Sequence, residues 1–255
     1  MNFLVDTAIL TGSVLLLLGV LSNKISARLG MPALATFLGL GMLAGSEGIG
    51  GIEFEDYSLA NAVGTVVLAI ILFAGGLGTP ISAVRDTWRR AGLLASVGVL
   101  LTAVITGGAA SWILGLPIGQ GMLLGSIVGS TDASAVFSVL RAGGVHIRRS
   151  LADTLEVESG SNDPMAIFMT VGMVQILSGK VTSIVDLSML LVNQVVLGIA
   201  VGLAVGFGAV WTLKNIRLEV AGLYPIMAIA FGLISYGLAA DFGGSGFLAT
   251  FLTGI

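Results

Sequence analysis

Apolar residues run along this chain in eight long stretches, at approximately 4–21, 31–46, 59–78, 91–115, 118–141, 154–178, 187–213 and 221–240. A membrane-spanning helix needs roughly 20 mostly apolar residues, and most of the stretches meet that length. The second is short, which predicts a broken or glycine-distorted helix. A ninth starts near Gly243 and is cut off at Ile255. The pattern predicts an all-α polytopic membrane protein with about eight spans and the beginning of another.

Composition agrees with that solvent. The chain is 56% hydrophobic and 10% charged, with a mean hydropathy of +1.05, whereas a soluble domain carries about 25% charged residues. The absence of cysteine excludes a disulfide framework and thiol chemistry. Asp6 occupies the place where a cleavable signal would carry positive charge, so the first apolar stretch reads as a retained helix.

Charge changes the picture by giving the stretches a direction. Lys24 and Arg28 follow the first, Arg85, Arg89 and Arg90 the third, Arg141, Arg148 and Arg149 the fifth, and Lys214 and Arg217 the seventh. Ten of the 11 Lys and Arg residues thus fall in alternate gaps. The positive-inside rule makes those gaps cytoplasmic and puts the N-terminus outside. The loops at 82–90 and 142–150 are expected inside, and the loop at 47–57 outside.

A short sequence recurs. "LATFLG" at 34–39 returns as "LATFLTG" at 248–254, each copy preceded by a glycine-containing break, "RLGMPA" and "DFGGSGF". On the predicted topology the two copies run in opposite directions, as in the inverted repeats of secondary transporters. Chance is the competing explanation, since five identical residues are not rare in an apolar alphabet. The repeat divides the chain into a first half at 1–178, a connector at 187–213, and the start of a second half at 221–255. A complete protein built this way has about thirteen spans, and residues 1–255 are then the N-terminal part of its transmembrane domain.

The candidate chemistry lies in two carboxylates. Asp132 sits inside "GSTDAS" on the fifth stretch, about 9 residues from its cytoplasmic end, or roughly 13 Å at helical rise. Asp163 sits inside "ESGSNDPMA" on the sixth, roughly 13–18 Å deep. The two are expected at similar depth on consecutive antiparallel helices. A charge near the bilayer centre costs at least about 2.5–3.5 kcal/mol on insertion scales, and its default reading is an ion pathway or proton relay. Glu156, Ser159 and Asp163 share one helical face, and Glu158 and Asn162 form a second stripe beside it. Pro164 lacks an N–H, which frees the carbonyl of Gly160. Carboxylate, hydroxyl and carbonyl oxygens are hard ligands suited to an alkali cation rather than to zinc or copper. Burial disfavours the charged form of a carboxylate, and a neighbouring carboxylate adds to this. Such a site holds a proton or a cation, and competition between them under alternating access gives obligatory exchange. Glu156 and Glu158 have a plainer reading as ion-paired or hydrated groups.

At "GSTDASAVFSVL" and "ESGSNDPMA" the sequence resembles the monovalent cation:proton antiporter-1 family of NhaP type, nearest the potassium/proton antiporter branch also called cell volume regulation protein A. The resemblance covers the whole chain, including "GMLAGSEGIGGI" at 41–52 and "AGLYPIMAI" at 221–229. It implies a thirteen-helix homodimer in the lipid of the bacterial inner membrane, with a moving core domain and a static dimer domain. It implies that Thr131 and Asp132 lie at a helix unwinding, that Ser159 and Asp163 complete the monovalent cation and proton site, and that Asn162 supports it. Glu158 would form a structural ion pair with an arginine on a later helix. The resemblance further implies electroneutral exchange, which goes in that family with an Asn-Asp pair as opposed to Asp-Asp. No cofactor is implied beyond the transported K+ or Na+ and H+, and no nucleic-acid partner. One departure is Ala74 in "ILFAGGL", where relatives often carry an acid.

Other features read more plainly. Gly121, Gly125 and Gly129, and Gly198, Gly202 and Gly206, form small-residue stripes for close helix packing. His146 is a solvated loop residue, with pH sensing as the alternative. Trp88 and Trp112 are interface anchors. "VRDTWRR" is topological charge first and a lipid-recognition site second. Two other functions compete with exchange. A cation channel needs neither an inverted repeat nor a titratable site. An intramembrane aspartyl protease, the enzyme alternative, needs motifs such as Gly-x-Gly-Asp, which neither Ser-Thr-Asp nor Ser-Asn-Asp supplies.

Overall fold

A computed structural model describes residues 2–29, 33–180 and 184–255. Among them the regular structure is helical: α1 (Asn2–Leu29), α2 (Ala33–Ala44), α3 (Tyr57–Gly78), α4 (Ile81–Leu93), α5 (Val99–Leu114), α6 (Ile118–Ile127), α7 (Ala133–Ala142), α8 (Arg149–Leu177), α9 (Ile184–Asn215), α10 (Leu223–Asp241) and α11 (Gly246–Gly254). Among the described residues, four helical stretches are long and apolar enough to cross a membrane: Tyr57–Gly78, Ile81–Leu114, Ser188–Asn215 and Leu223–Asp241. Among the residues whose side chains are described, shorter apolar stretches lie at Ile9–Ser22 in α1, Leu34–Ala44 in α2 and Ile118–Ile127 in α6. The 29 residues of α8 are long enough but contain several carboxylates.

Two expected boundaries are corrected. Residues 82–90 are not a loop, because Ile81–Leu114 is one helical stretch of 34 residues, with a π-helical turn at Leu94–Gly98. Arginines mask the start of this helix in a hydropathy reading. Its buried positions Ala83, Thr87 and Ala91 recur every four residues, and Ala83 and Ala91 pack with Val84 against Val157 of α8. Pro80, with φ −65°, precedes the first turn, and Gly115 in the left-handed conformation ends the last, the usual asymmetry of helix ends. The apolar stretch 118–141, for its part, is two helices, α6 and α7, separated by residues 128–132.

α2 is short, as expected, with 12 residues. The chain then folds back on it: the N–H of Gly50 donates to the carbonyl of Leu43 at 2.9 Å and that of Ile52 to Ala44 at 3.0 Å. A Cβ on Gly48 would lie 2.3 Å from the Leu43 carbonyl oxygen, which explains a glycine in "GSEGIGG". α8 continues unbroken through Pro164. The first copy of the repeated sequence lies in α2, although part of the break before it, residues 30–32, lies outside the described residues. The second copy forms α11, whose N-cap Ser245 accepts from the N–H of Leu248 at 3.2 Å. In each copy the phenylalanine ring covers a glycine of another helix, Phe37 over Gly19 and Phe251 over Gly160.

The chain packs as two compact units, residues 1–59 with 132–148, and residues 60–131 with 149–255. In the first, α1 packs on α2. In the second, α5 packs on α6, α4 and α6 pack on α8, and α11 packs on α9 and α10. Both glycine stripes serve these contacts. A Cβ on Gly125 would stand 2.1 Å from the Ala103 carbonyl oxygen, and one on Gly202 2.7 Å from that of Ala249. The polar groups of α11 are satisfied internally, as a low-dielectric surrounding requires. Thr253 donates to Ser235 Oγ at 2.7 Å or to the Gly202 carbonyl at 3.0 Å, and Thr250 to the Gly232 carbonyl at 3.1 Å.

Candidate functional site

The site is built where α6 stops. Val128, with φ −92° and ψ 2°, caps α6, and Gly129 to Asp132 are not helical. The local sequence favours such a stop, because Ser, Thr and Asp side chains compete for backbone hydrogen bonds and suit the residue before a helix. The carbonyl of Asp132 accepts from the N–H of Val136 at 3.1 Å, the first helical bond of α7. The unwinding implied for Thr131 and Asp132 is therefore present.

α8 supplies the other wall. Asn162 is 0% exposed, and its side-chain amide lies 2.6 Å from Thr131 Oγ1, 3.0 Å from Glu158 Oε1 and 3.2 Å from the Thr131 carbonyl. Thr131 Oγ1 in turn lies 3.2 and 3.1 Å from the two Glu158 oxygens. Ser159 donates to the Thr131 carbonyl at 3.1 Å. Thr131 is thus the knot between the unwound segment and α8: its hydroxyl accepts from Asn162 and donates to Glu158, while its carbonyl accepts from Ser159. The freed backbone of the unwinding finds partners in side chains of one neighbouring helix, which is how broken helices are tolerated in a bilayer.

Asp163 follows Asn162 but faces a different surrounding. Its carboxylate accepts from the Ser130 hydroxyl, which also lies 2.9 Å from Asn162 Oδ1. It lines an open cavity of about 310 Å³ with Leu68, Ile127, Ser130, Ala166, Ile167, Thr170 and Val171. Asp163, Ala166, Ile167, Thr170 and Val171 follow helical spacing, so one face of α8 forms that wall. Among the described residues the lining is apolar apart from Asp163, Ser130 and Thr170, and Asp163 is its one carboxylate.

Of the residues expected in the site, Thr131, Ser159, Asn162 and Asp163 come together with Glu158. Asp132 is half-buried and belongs to the other compact unit. Glu158 is buried and held by the neutral donors of Thr131 and Asn162, whereas Glu156, on the same helix, is exposed. Ser130 was not among the expected residues. Its signal was its place in the polar run "GSTDAS", immediately before Thr131. Among the described residues no group of three His, Asp or Glu side chains converges.

A family profile described as sodium/hydrogen exchanger, transmembrane, matches residues 13–255. The K(+)/H(+) antiporter NhaP of Alkalimonas amylolytica is 43% identical over 252 residues, covering 98% of this chain and 43% of that protein. The K(+)/H(+) antiporter NhaP2 of Shewanella baltica is 43% identical over 253 residues, with 98% and 43% covered. This chain therefore spans less than half the length of these curated relatives. The solved structure of the sodium proton antiporter MjNhaP1 from Methanocaldococcus jannaschii superposes with a TM-score of 0.72 at 25% identity, covering 98% of this chain and 60% of that one.

Proposed function

The chain belongs to the transmembrane sodium/hydrogen exchanger family, and from that premise we propose that it carries the cation site of a secondary transporter exchanging K+ or Na+ for protons. The protein is a multi-pass component of the bacterial inner membrane with its N-terminus outside, and it works as a homodimer. Residues 1–178 form the first of two inverted repeats, 187–213 a connector, and 221–255 the start of the second. The observation that carries the reading is the pairing of an unwound segment, knitted through Thr131 to α8, with a carboxylate, Asp163, that opens on a cavity. A discontinuous helix whose freed backbone groups surround an ionisable residue is the recurrent architecture of ion sites in such transporters.

In this reading the substrate cation takes its oxygens from Thr131, Asp132, Ser159 and Asp163, with Asn162 holding Thr131 and Glu158 in place. Removing a cation's water is costly and must be offset by negative charge and ordered oxygens. When the cation leaves, a proton neutralises the carboxylate. One site serving both in turn ties their movements together, and the exchange is electroneutral.

The test is acid-gradient dequenching in inverted vesicles carrying the full-length protein, on addition of K+ or Na+ across a pH series. Asp163→Asn keeps the shape and one acceptor oxygen but carries no exchangeable proton, and it is expected to abolish exchange without loss of membrane insertion. Asp132→Asn is expected to fail or weaken badly through lost coordination. Wild-type dequenching by Asp163→Asn with either ion would remove Asp163 from the exchange.

A further inference from the structure

α4 has an outward face for which the exchange site gives no reason. Arg85, Trp88 and Arg89 are three and four residues apart and share one side of the helix, opposite the buried side of Ala83, Thr87 and Ala91. All three are exposed, as are Asp86 and Arg90 beside them, and three arginines against one aspartate leave the face net positive. The Arg89 guanidinium lies over the Trp88 ring, 5.3 Å from its centre. Ile81 and Leu93, exposed at the two ends of the helix, add apolar surface.

Length places this face at head-group depth. The continuous helix Ile81–Leu114 has 34 residues, or roughly 51 Å at 1.5 Å per residue, against about 30 Å of hydrocarbon. The excess, roughly 20 Å, is close to the length of α4, which has 13 residues. The charges choose the end that protrudes, since α4 contains every Arg of this stretch and the Leu114 end has none. Trp88 and Trp112 are 59% and 87% exposed and lie roughly 36 Å apart along the helix, the spacing of two interfacial aromatic belts.

We propose that the outward face of α4, centred on Arg85, Trp88 and Arg89, is a binding surface for anionic phospholipid head groups. Guanidinium groups pair with phosphate through paired N–H donors, Trp88 seats at the interface, and α4 is held there by its packing on Val157. This site is separate from the cation site and does not depend on what the chain transports.

The experiment uses full-length protein with Trp88 as its single tryptophan, in liposomes of matched brominated phosphatidylglycerol or brominated phosphatidylcholine. Identical leaflets make the measurement independent of orientation. Each arginine near an anionic surface enriches its lipid by about fivefold, so the phosphatidylglycerol is expected to quench Trp88 several-fold more than the phosphatidylcholine. Arg85→Gln with Arg89→Gln should bring the two quenching curves together. Raising the salt to about 1 M, where the screening length is about 3 Å, should do the same for the unaltered arginines, which keeps the test decisive if the double variant fails to fold. Equal quenching by the two lipids, no quenching by either, or a preference that survives the double substitution overturns the proposal and leaves these arginines as topological charge.

Discussion

Asn162 Nδ2 lies 2.6 Å from Thr131 Oγ1, and this contact joins the buried face of α8 to the gap between α6 and α7. Asn162 is the side chain that can serve both sides of the knot, since its amide donates to Thr131 and Glu158 while its carbonyl oxygen lies 2.9 Å from the Ser130 hydroxyl. Removing it leaves the buried Glu158 carboxylate and the Thr131 hydroxyl each short of one donor.

The first prediction follows from that arrangement. Asn162→Ala should destabilise the protein by about 1–3 kcal/mol, the cost of unsatisfied buried groups, and should lower exchange because Thr131 loses its anchor. Thermal unfolding in detergent measures the first effect. An unchanged Tm would show that Glu158 and Thr131 find other partners without Asn162.

Two serines should behave differently from Asp163. Ser159→Ala removes one neutral oxygen and one donor to the Thr131 carbonyl, so the apparent KM for the cation should rise while the maximal rate stays near wild type. Ser130→Ala removes a donor to the Asp163 carboxylate. A hydrogen bond to a charged group is worth about 1.5–3 kcal/mol, so exchange at subsaturating cation should slow about tenfold or more. Ser130→Thr, which keeps the hydroxyl, should recover most of it. Equal losses in the alanine and threonine variants would mean that bulk, not the hydroxyl, decides the outcome.

Helix packing offers a test independent of transport. A Cβ on Gly125 would meet the Ala103 carbonyl oxygen, whereas one on Gly108 meets nothing within 4 Å. Gly125→Ala should force α5 and α6 apart and cost about 1–3 kcal/mol. Gly108→Ala, in an open helical position, should be neutral or stabilise by up to about 1 kcal/mol. The Tm of each variant decides, and equal values would contradict the α5–α6 contact.

Topology can be checked from either side of the membrane. A cysteine at position 55 should react with impermeant maleimide only from outside, and one at position 146 only from the cytoplasm, because the basic segments alternate along the chain. Labelling of position 55 from the cytoplasm would reverse the assignment of sides.

The solvent, the helical class and the motifs of the candidate site are legible in the apolar pattern and its interruptions. Apolar runs of membrane length have few other uses, and carboxylates inside them at Asp132 and Asp163 are costly enough to single them out as candidates. Tertiary structure decided what hydropathy cannot register. A count of apolar residues passes without interruption through Val128 and Gly129, so the apolar pattern draws one helix over 118–141, and only the resemblance pointed to an unwinding. The break exists because Asn162 and Ser159 receive the freed groups of Thr131, and those donors come from a helix about thirty residues away. For the same reason Ser130 was missed, since its importance comes from facing Asp163 across space. The helix over 82–90 was hidden by its arginines, because a scale that averages along the chain cannot see that Ala83, Thr87 and Ala91 turn inward together. Asn162 and Asp163 make the point most simply. They are adjacent in sequence, and the helix turns one into the buried knot and the other towards an open cavity.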